Sequence, residues 1–508
     1  MSAPFSSAKA IATGGVWRAW FSGPAGSGWR VLAGFLLIAA VGCAPPPPAP
    51  TLPAQSNILL ITVDTLRADH LSAYGYPRDT SPTLARLASE GIRFDRPAVQ
   101  WPKTGPSFAS LFTATYSKDN GITRQVGIPL PGKFLMLAEE LRAQGYQTHA
   151  VVSNGAVASA LKYDQGFDSY IETWKFDDAE MPRHPNRAER VTRFATETAA
   201  TIDPDRPYFL WVHYLDPHAP YNAPGEAKDR FVGDDWYDET VKVPVDFDKR
   251  RLQMGGIGYS QMLEKKKDLA FYEARYDGEI AYADRYIGEL LESLGGKGLM
   301  DNTLTVVTAD HGESLGEHKY YFDHGRFSFE TCLRVPLIAH FPGVIKPRVD
   351  PDPVQLIDLA PTFLEAAGVT LEEGRWAQGK SLGARMLDPS RTQEAYAFSE
   401  AGYASDNAWQ KVAQDRRFKL VYAQVPREQR WIGGNGVEFT LFDLDSDPEE
   451  TQNVADAFPD DLRRLQRLLA DWNQAPPFGV ELDPSSDDAE GELDDETRDQ
   501  LEALGYLQ

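Results

Sequence analysis

The chain has 508 residues, enough for a large α/β enzyme body with a smaller appendage. Its 51 Lys and Arg stand against 74 Asp and Glu, a formal charge of −23 at pH 7. That balance excludes the basic footprint that nucleic acid requires, and adhesion to anionic lipid through a polybasic patch. The two cysteines, Cys43 and Cys332, make neither a disulfide framework nor a thiolate zinc signature. Cys332 stands just before an apolar run and reads as a small buried hydrophobe.

No Asp or Glu precedes Asp64, and Arg18 and Arg30 lie ahead of an apolar run over residues 31–41. A basic region, a short apolar run and small residues describe a secretory signal over residues 1–42. The run is shorter than the ~20 residues of a membrane-spanning helix. Its ending, Ala40-Val41-Gly42-Cys43, resembles a bacterial lipoprotein signal, with Ala40 where leucine is commoner. The resemblance implies a lipid anchor on Cys43 as the one contact with membrane, at the periplasmic face of the outer membrane or the cell surface. A plain secretory signal or an uncleaved anchor is the alternative. The prolines of Pro45-Pro46-Pro47-Pro48-Ala49-Pro50 make residues 43–56 a stiff spacer.

A catalytic body is expected over residues 57–390. Asn57-Ile58-Leu59-Leu60-Ile61-Thr62-Val63 is a continuous apolar run with β-branched residues, the pattern of a strand buried on both faces. Helices follow over residues 81–90, with Pro82 in the first turn, from about Pro106, and over 134–144, where Gly145 stops the pattern. Further buried strands read at 148–152, 208–212, 303–308 and 335–339, with a long amphipathic helix over 268–294. Strands alternating with helices imply a mostly parallel sheet covered on both faces. From about residue 394 the rhythm changes to a hairpin at 411–422, a strand at 439–444 and a helix at 459–472, an antiparallel α+β subdomain over 391–480. Residues 481–508 are so acidic that they read as a solvated tail.

In doubly wound sheets ligands bind beyond the carboxyl ends of the strands. The first strand ends on Asp64, the strand at 303–308 runs into Asp310-His311-Gly312-Glu313, and the strand at 208–212 into His213-Tyr214-Leu215-Asp216-Pro217-His218. Carboxylates and imidazoles delivered to one sheet edge are what a divalent cation binds. Gly255-Gly256-Ile257-Gly258 follows no strand and is no phosphate loop. It falls in an insertion over 222–266 of the kind that shapes specificity. The tryptophans at 101, 211 and 236 read as buried aromatics before they read as a cleft lining.

Four stretches occur in one order: Ile61-Thr62-Val63-Asp64-Thr65-Leu66-Arg67, Thr104-Gly105-Pro106-Ser107-Phe108, Asp216-Pro217-His218-Ala219-Pro220-Tyr221 and Thr308-Ala309-Asp310-His311-Gly312-Glu313. Together they resemble the sulfatase family of the alkaline phosphatase superfamily, over residues 57 to about 475. The resemblance implies an alkaline-phosphatase-like α/β fold and one divalent metal ion held by Asp64, Asp310 and His311. It implies Thr104 as nucleophile and further metal ligand, at the start of a helix whose free N–H groups suit an anion. A hydroxyl is a weak nucleophile unless a neighbouring base or metal lowers its pKa, so Thr104 needs the metal. His218 matches a position that binds the oxyanion or protonates the leaving oxygen, and His324 one that shares that work. Asn154 stands where the family has groups that hold sulfate, and His213 is a weaker candidate for substrate contact.

The chain also departs from the family's pattern. Formylglycine sulfatases make their aldehyde from a cysteine or serine in Cys/Ser-x-Pro-x-Arg, whereas this chain reads Thr104-Gly105-Pro106-Ser107-Phe108. Threonine cannot give the aldehyde, so no formylglycine is expected. His311 stands where calcium sulfatases commonly carry asparagine, and imidazole favours manganese or zinc over calcium. The threonine resembles that of phosphoethanolamine and phosphoglycerol transferases. Three readings stay open: a hydrolase of a sulfate or phosphate ester on a small molecule, glycan or lipid; a transferase to an envelope lipid or glycan; and a non-catalytic binding protein.

Overall fold

A computed structural model describes residues 49–506, apart from 124–127, 135, 177–186, 247–256, 259–260, 370–377, 392–394, 404–407, 425–436, 475–492 and 505. The signal and Cys43 lie outside the described residues. Among the described residues no helix is long and apolar enough to cross a membrane.

The strands of the main body are β1 (Asn57–Val63), β2 (Ile92–Ala98), β3 (Gln147–Val152), β4 (Ser169–Glu172) and β5 (Tyr208–Tyr214). A two-residue pair follows, β6 (Val245–Asp246) with β7 (Ile257–Gly258), and then β8 (Thr303–Thr308). Next come the short β9 (Ser314–Leu315) and β10 (Tyr321–Asp323), β11 (Leu337–His340) and β12 (Arg348–Gln355). The helices there are α1 (Pro82–Glu90), α2 (Thr104–Thr113), α3 (Ser117–Asn120), α4 (Leu137–Ala143), α5 (Ala188–Ala199) and α6 (Leu269–Gly296). They are followed by α7 (Glu330–Leu333), α8 (Leu359–Ala366) and α9 (Gly383–Leu387).

Eight strands form one sheet in the order β12-β2-β11-β8-β1-β5-β3-β4. Residues 58–63 of β1 are buried on both faces, which requires helices on both. One set, α1, α5 and α6, packs together, and a second set, α2, α4 and α8, does the same. The expected parallel sheet holds from β8 to β4. It fails at β11, which runs antiparallel to both β2 and β8. The sequence reading passed over β2 and β12, because the edge strand and its neighbour tolerate Arg93, Asp95, Arg96, Asp350 and three prolines that break the apolar pattern.

Four further strands, β13 (Ala397–Tyr403), β14 (Ala408–Gln414), β15 (Phe418–Gln424) and β16 (Val437–Asp443), make an antiparallel meander. Helix α10 (Pro459–Gln474) covers it, burying Leu465, Leu469 and Trp472 against Leu420, Leu441 and Phe398. An ionic contact pins this sheet to the main body. Lys419 of β15 is fully buried, with Nζ 3.1 Å from Glu330 of α7 and 2.7 Å from Glu450.

The solvated tail expected over 481–508 is corrected in part. Helix α11 (Asp495–Ala503) is packed against the body, with Thr497 and Leu501 fully buried. Leu493, Thr497 and Leu501 recur every four residues, a helical stripe that the acidic composition conceals. Cys332 is fully buried as expected, and burial raises its thiol pKa. Trp101 and Trp211 are buried, while Trp236 is exposed.

Removing one member of a buried ion pair strands its partner, at a cost of about 3–5 kcal/mol. Lys419→Met is therefore expected to lower the midpoint of thermal or urea unfolding clearly. Arg463→Met, which breaks an exposed pair with Asp460 on α10, is expected to change it little.

Candidate active site

Register brings the site together. Thr62 of β1 pairs with His213 on one side and Thr308 on the other. Two residues on, Asp64 and Asp310 therefore stand level at the carboxyl ends of neighbouring strands. His311 follows, and one ligand atom from each of Asp64, Asp310 and His311 lies within 4.8 Å of the others, all fully buried.

Each group is oriented from behind. His311 donates Nδ1–H to the Gly312 carbonyl at 2.9 Å, which turns the Nε2 lone pair toward the carboxylates. That nitrogen is 3.5 Å from Asp310 Oδ2 and 3.9 Å from Asp64 Oδ1. Both oxygens are buried without a hydrogen-bond donor among the described residues. Three electron-rich atoms aimed at one point fit a divalent cation and little else. The other carboxylate oxygens are held: Asp310 Oδ1 accepts from the His311 amide at 2.9 Å, and Asp64 Oδ2 from Asn154 Nδ2 at 2.6 Å.

Thr104 is the first residue of α2, after Lys103 in extended conformation. Its hydroxyl donates to His311 Nε2 at 3.3 Å, so it borders the same point. Two bonds fix the helix start: Ser107 Oγ donates to the Asp310 carbonyl at 2.6 Å, and Tyr163 to the Gly105 carbonyl at 2.7 Å. Phe108 is fully buried against Trp211 and His213, with ring centroids 4.9 and 5.0 Å away. A residue there faces the core and cannot supply the motif arginine's charge.

The remaining candidates divide. His218 and His324 join His311 in a cluster, with centroids 5.5 Å apart for His218 and His324 and 4.1 Å for His311 and His324. His324 Nδ1 is 3.2 Å from Glu313 Oε1, a buried carboxylate that orients the ring. Asn154 and His213 both turn toward Asp64. Asn154 spends its amide on Asp64 and its oxygen on the Ala156 amide at 2.9 Å. His213 is fully buried, with Nδ1 3.0 Å from Thr62 Oγ1 and Nε2 3.5 Å from Asp64 Oδ2.

Burial is the largest influence on Asp64, Asp310, His311 and His324. It lowers the His311 pKa to about 4, helped by His218 and Lys103 and opposed by Asp64. It lowers His324 well below the imidazole range, helped by His311, Lys103 and His218. It raises Asp310, helped by the Asp64 carboxylate. At Asp64 burial also pushes upward, but His213, His218 and His311 outweigh it and the pKa falls. The site thus sets four imidazoles and Lys103 around two carboxylates, a surrounding that favours an anion beside a cation.

With this geometry, comparison with known proteins becomes informative. The Sulfatase profile matches residues 56–369, more than half of the chain. The chain belongs to the sulfatase family. A further profile, N-sulphoglucosamine sulphohydrolase, C-terminal, matches residues 316–471 and so takes in the small antiparallel sheet of this sulfatase. An arylsulfatase of Clostridium perfringens is 24% identical over 474 residues, covering 82% of this chain and 94% of its own. A choline-sulfatase of Rhizobium meliloti is 27% identical over 463 residues, covering 79% and 83%. A phosphonate monoester hydrolase of Agrobacterium radiobacter shares the fold at a TM-score of 0.64 and 23% identity, over 82% of this chain and 96% of its own. So does a protein solved with its substrate D-glucosamine-2-N,6-O-disulfate, at a TM-score of 0.65 and 21% identity, over 84% and 100%. The sulfatase is a hydrolase by family.

Three site residues escaped the sequence reading. Lys103 stands beside the nucleophile position, and its aliphatic stem crosses Gly325, where a Cβ would lie 2.2 Å from Lys103 Cε. Glu313 stood in the quoted Asp310-His311-Gly312-Glu313 run without a role. Tyr506 belongs to the C-terminal segment and donates to His218 Nε2 at 2.6 Å. Only the stripe of α11 signalled that this segment folds back.

Residues that orient metal ligands typically contribute 10–100-fold to affinity. His213→Ala and Asn154→Ala are each expected to weaken manganese or zinc binding by about that range, read by calorimetric titration of metal-stripped protein. Asp310→Asn is expected to abolish tight binding.

Proposed function

We propose that this sulfatase cleaves a sulfate or phosphate ester by attack of the Thr104 hydroxyl, in a site holding one manganese or zinc ion. The observation that carries the reading is the Thr104 hydroxyl at a helix start, 3.3 Å from the imidazole of a buried Asp64–Asp310–His311 ligand set. A cation bound there would supply Lewis-acid polarisation of the ester and a lower pKa for the threonine hydroxyl. Asp64, Asp310, His311 and Thr104 would hold it. Two carboxylates and an imidazole make a donor set poor for calcium.

The chain's own groups supply the rest. The Thr104 oxygen, its proton released to solvent, forms the new bond to sulfur or phosphorus while the bond to the leaving oxygen breaks. The α2 N-terminus and Lys103 bind the non-bridging oxygens. His218 protonates the leaving oxygen through Nε2, since its Nδ1–H is committed to the Ala219 carbonyl at 2.9 Å. His324, oriented by Glu313, lies beside His218 and His311 and binds the same anion. Water, giving a proton to the now neutral His218, then bonds to sulfur or phosphorus as the bond to the Thr104 oxygen breaks and free sulfate or phosphate leaves. Since threonine gives no aldehyde, turnover needs no formylglycine. The signal-like N-terminus and Cys43 support an extracytoplasmic, lipid-anchored enzyme acting on a small-molecule, glycan or lipid ester.

The test is turnover of an aryl sulfate, a phosphate monoester and a phosphate diester by the metal-loaded chain from residue 44 onward. Thr104→Ala is expected to reduce every activity to background, and Thr104→Ser to restore part of it. Ester cleavage undiminished in Thr104→Ala would overturn the threonine mechanism. Loss of a general acid costs about 10²–10⁴-fold. His218→Ala is therefore expected to lose about that much on alkyl esters and far less on nitrophenyl esters, whose leaving oxygen needs no proton. Equal losses on both would remove His218 from the acid role.

A further inference from the structure

Tyr506 sits where a leaving group has to sit. His218 offers one nitrogen to a leaving oxygen, Nε2, because Nδ1–H is bonded to the Ala219 carbonyl. The Tyr506 hydroxyl already occupies that nitrogen, at 2.6 Å. The same phenol oxygen is 3.5 Å from Asn154 Nδ2, whose amide also holds Asp64. It therefore lies between the residue assigned to protonate the leaving oxygen and the shell of the metal ligands.

The segment that carries Tyr506 has a built seat. The Asp494 side chain caps α11 through the Thr497 amide at 2.8 Å and pairs with Lys175 at 2.6 Å. Trp174 Nε1 donates to Thr497 Oγ1 at 3.2 Å, and Gln500 Nε2 to the Ser153 carbonyl at 2.9 Å. Gly155 leaves room for the helix: a Cβ there would lie 2.2 Å from Gln500 Oε1. The Tyr506 amide then donates to the Leu501 carbonyl at 2.8 Å, which turns the chain back toward His218. Beside this turn a cavity of about 460 Å³ opens, lined by Trp174, Asp216, His218, Pro220, Gln500 and Leu504. The C-terminal helix is thus a wall of the leaving-group side, and Tyr506 is attached past its end.

We propose that Tyr506 is a tethered product mimic that determines specificity: its phenol fills the leaving-oxygen position, and a substrate enters only by displacing it from His218. The proposal rests on the reading of His218 as the group facing the leaving oxygen. It selects esters whose alcohol or phenol portion gains enough from the adjoining cavity to offset loss of the tyrosine contact. Esters of small alcohols that leave the cavity empty compete poorly with the tether.

Two variants test it: Tyr506→Phe, which removes the hydroxyl, and a chain ending after Leu504, which keeps α11 and its seat. In both, KM for a small alkyl or aryl ester is expected to fall about fivefold, with kcat not reduced. A second readout needs no turnover. Carbethoxylation of His218, followed by peptide mass spectrometry, is expected to be several-fold faster in the shortened chain. An unchanged labelling rate there would overturn the proposal. So would a fall in kcat at unchanged KM, which would make Tyr506 a participant in the reaction. If no form cleaves any ester, the proposed function fails, and the labelling rates alone decide whether Tyr506 covers His218.

Discussion

Two buried carboxylates, Asp64 and Asp310, stand at the ends of adjacent parallel strands with no solvent to separate them. At an effective dielectric of about 20, charges less than 5 Å apart repel by about 3–4 kcal/mol. The protein answers by neutralising one oxygen of each carboxylate with amide donors and leaving the other without a donor. The unmet oxygens and the His311 lone pair share one point, so the cheapest solution is a cation at that point. Most of the site can be traced to this constraint. Asn154 and His213 are behind Asp64 to fix its angle, and Gly312 supplies a carbonyl to fix the imidazole.

The surrounding charges follow from the same problem in reverse. An ester anion beside such a cation would need donors on its remaining sides. The chain provides Lys103, the N–H groups at the start of α2, His218 and His324. Burial holds His311 and His324 largely neutral in the absence of ligand, which limits the repulsion among three imidazoles. The anchor of α2 on the Asp310 backbone, through Ser107, ties the nucleophile position to the metal ligands, so that the two move as one body.

The small C-terminal sheet and α11 contribute differently. The sheet is pinned by Lys419 between two carboxylates, and it supplies none of the metal-ligand candidates. The helix is pinned at Ser153, Gly155 and Trp174, directly over the β3 end of the site. A segment that close to His218 shapes what the enzyme accepts, even though no metal ligand comes from it.

How much was legible before the structure depends on how local each signal is. The buried strands β1, β3, β5 and β8 announced themselves as apolar runs, and the residues just past them, Asp64, Asp310 and His311, were read as ligands from position and residue type alone. Thr104 followed from the residues around it, and threonine by itself ruled out the aldehyde. The reversed direction of β11 was not legible, because an apolar strand looks the same in either direction. Nor were β2 and β12, whose charges are tolerated near the sheet edge. Asn154 and His213 both end beside Asp64, and only packing decides which way such side chains face. Tyr506 lay furthest from view. Composition averages over a segment, whereas docking depends on one stripe of side chains meeting one groove, and that meeting exists only in the folded chain. The sequence by itself determined the fold class and which side chains arrive at the carboxyl ends of the strands. Tertiary structure decided which way those side chains face and which distant segments, Tyr506 among them, close over them, since these are matters of direction between residues hundreds of positions apart.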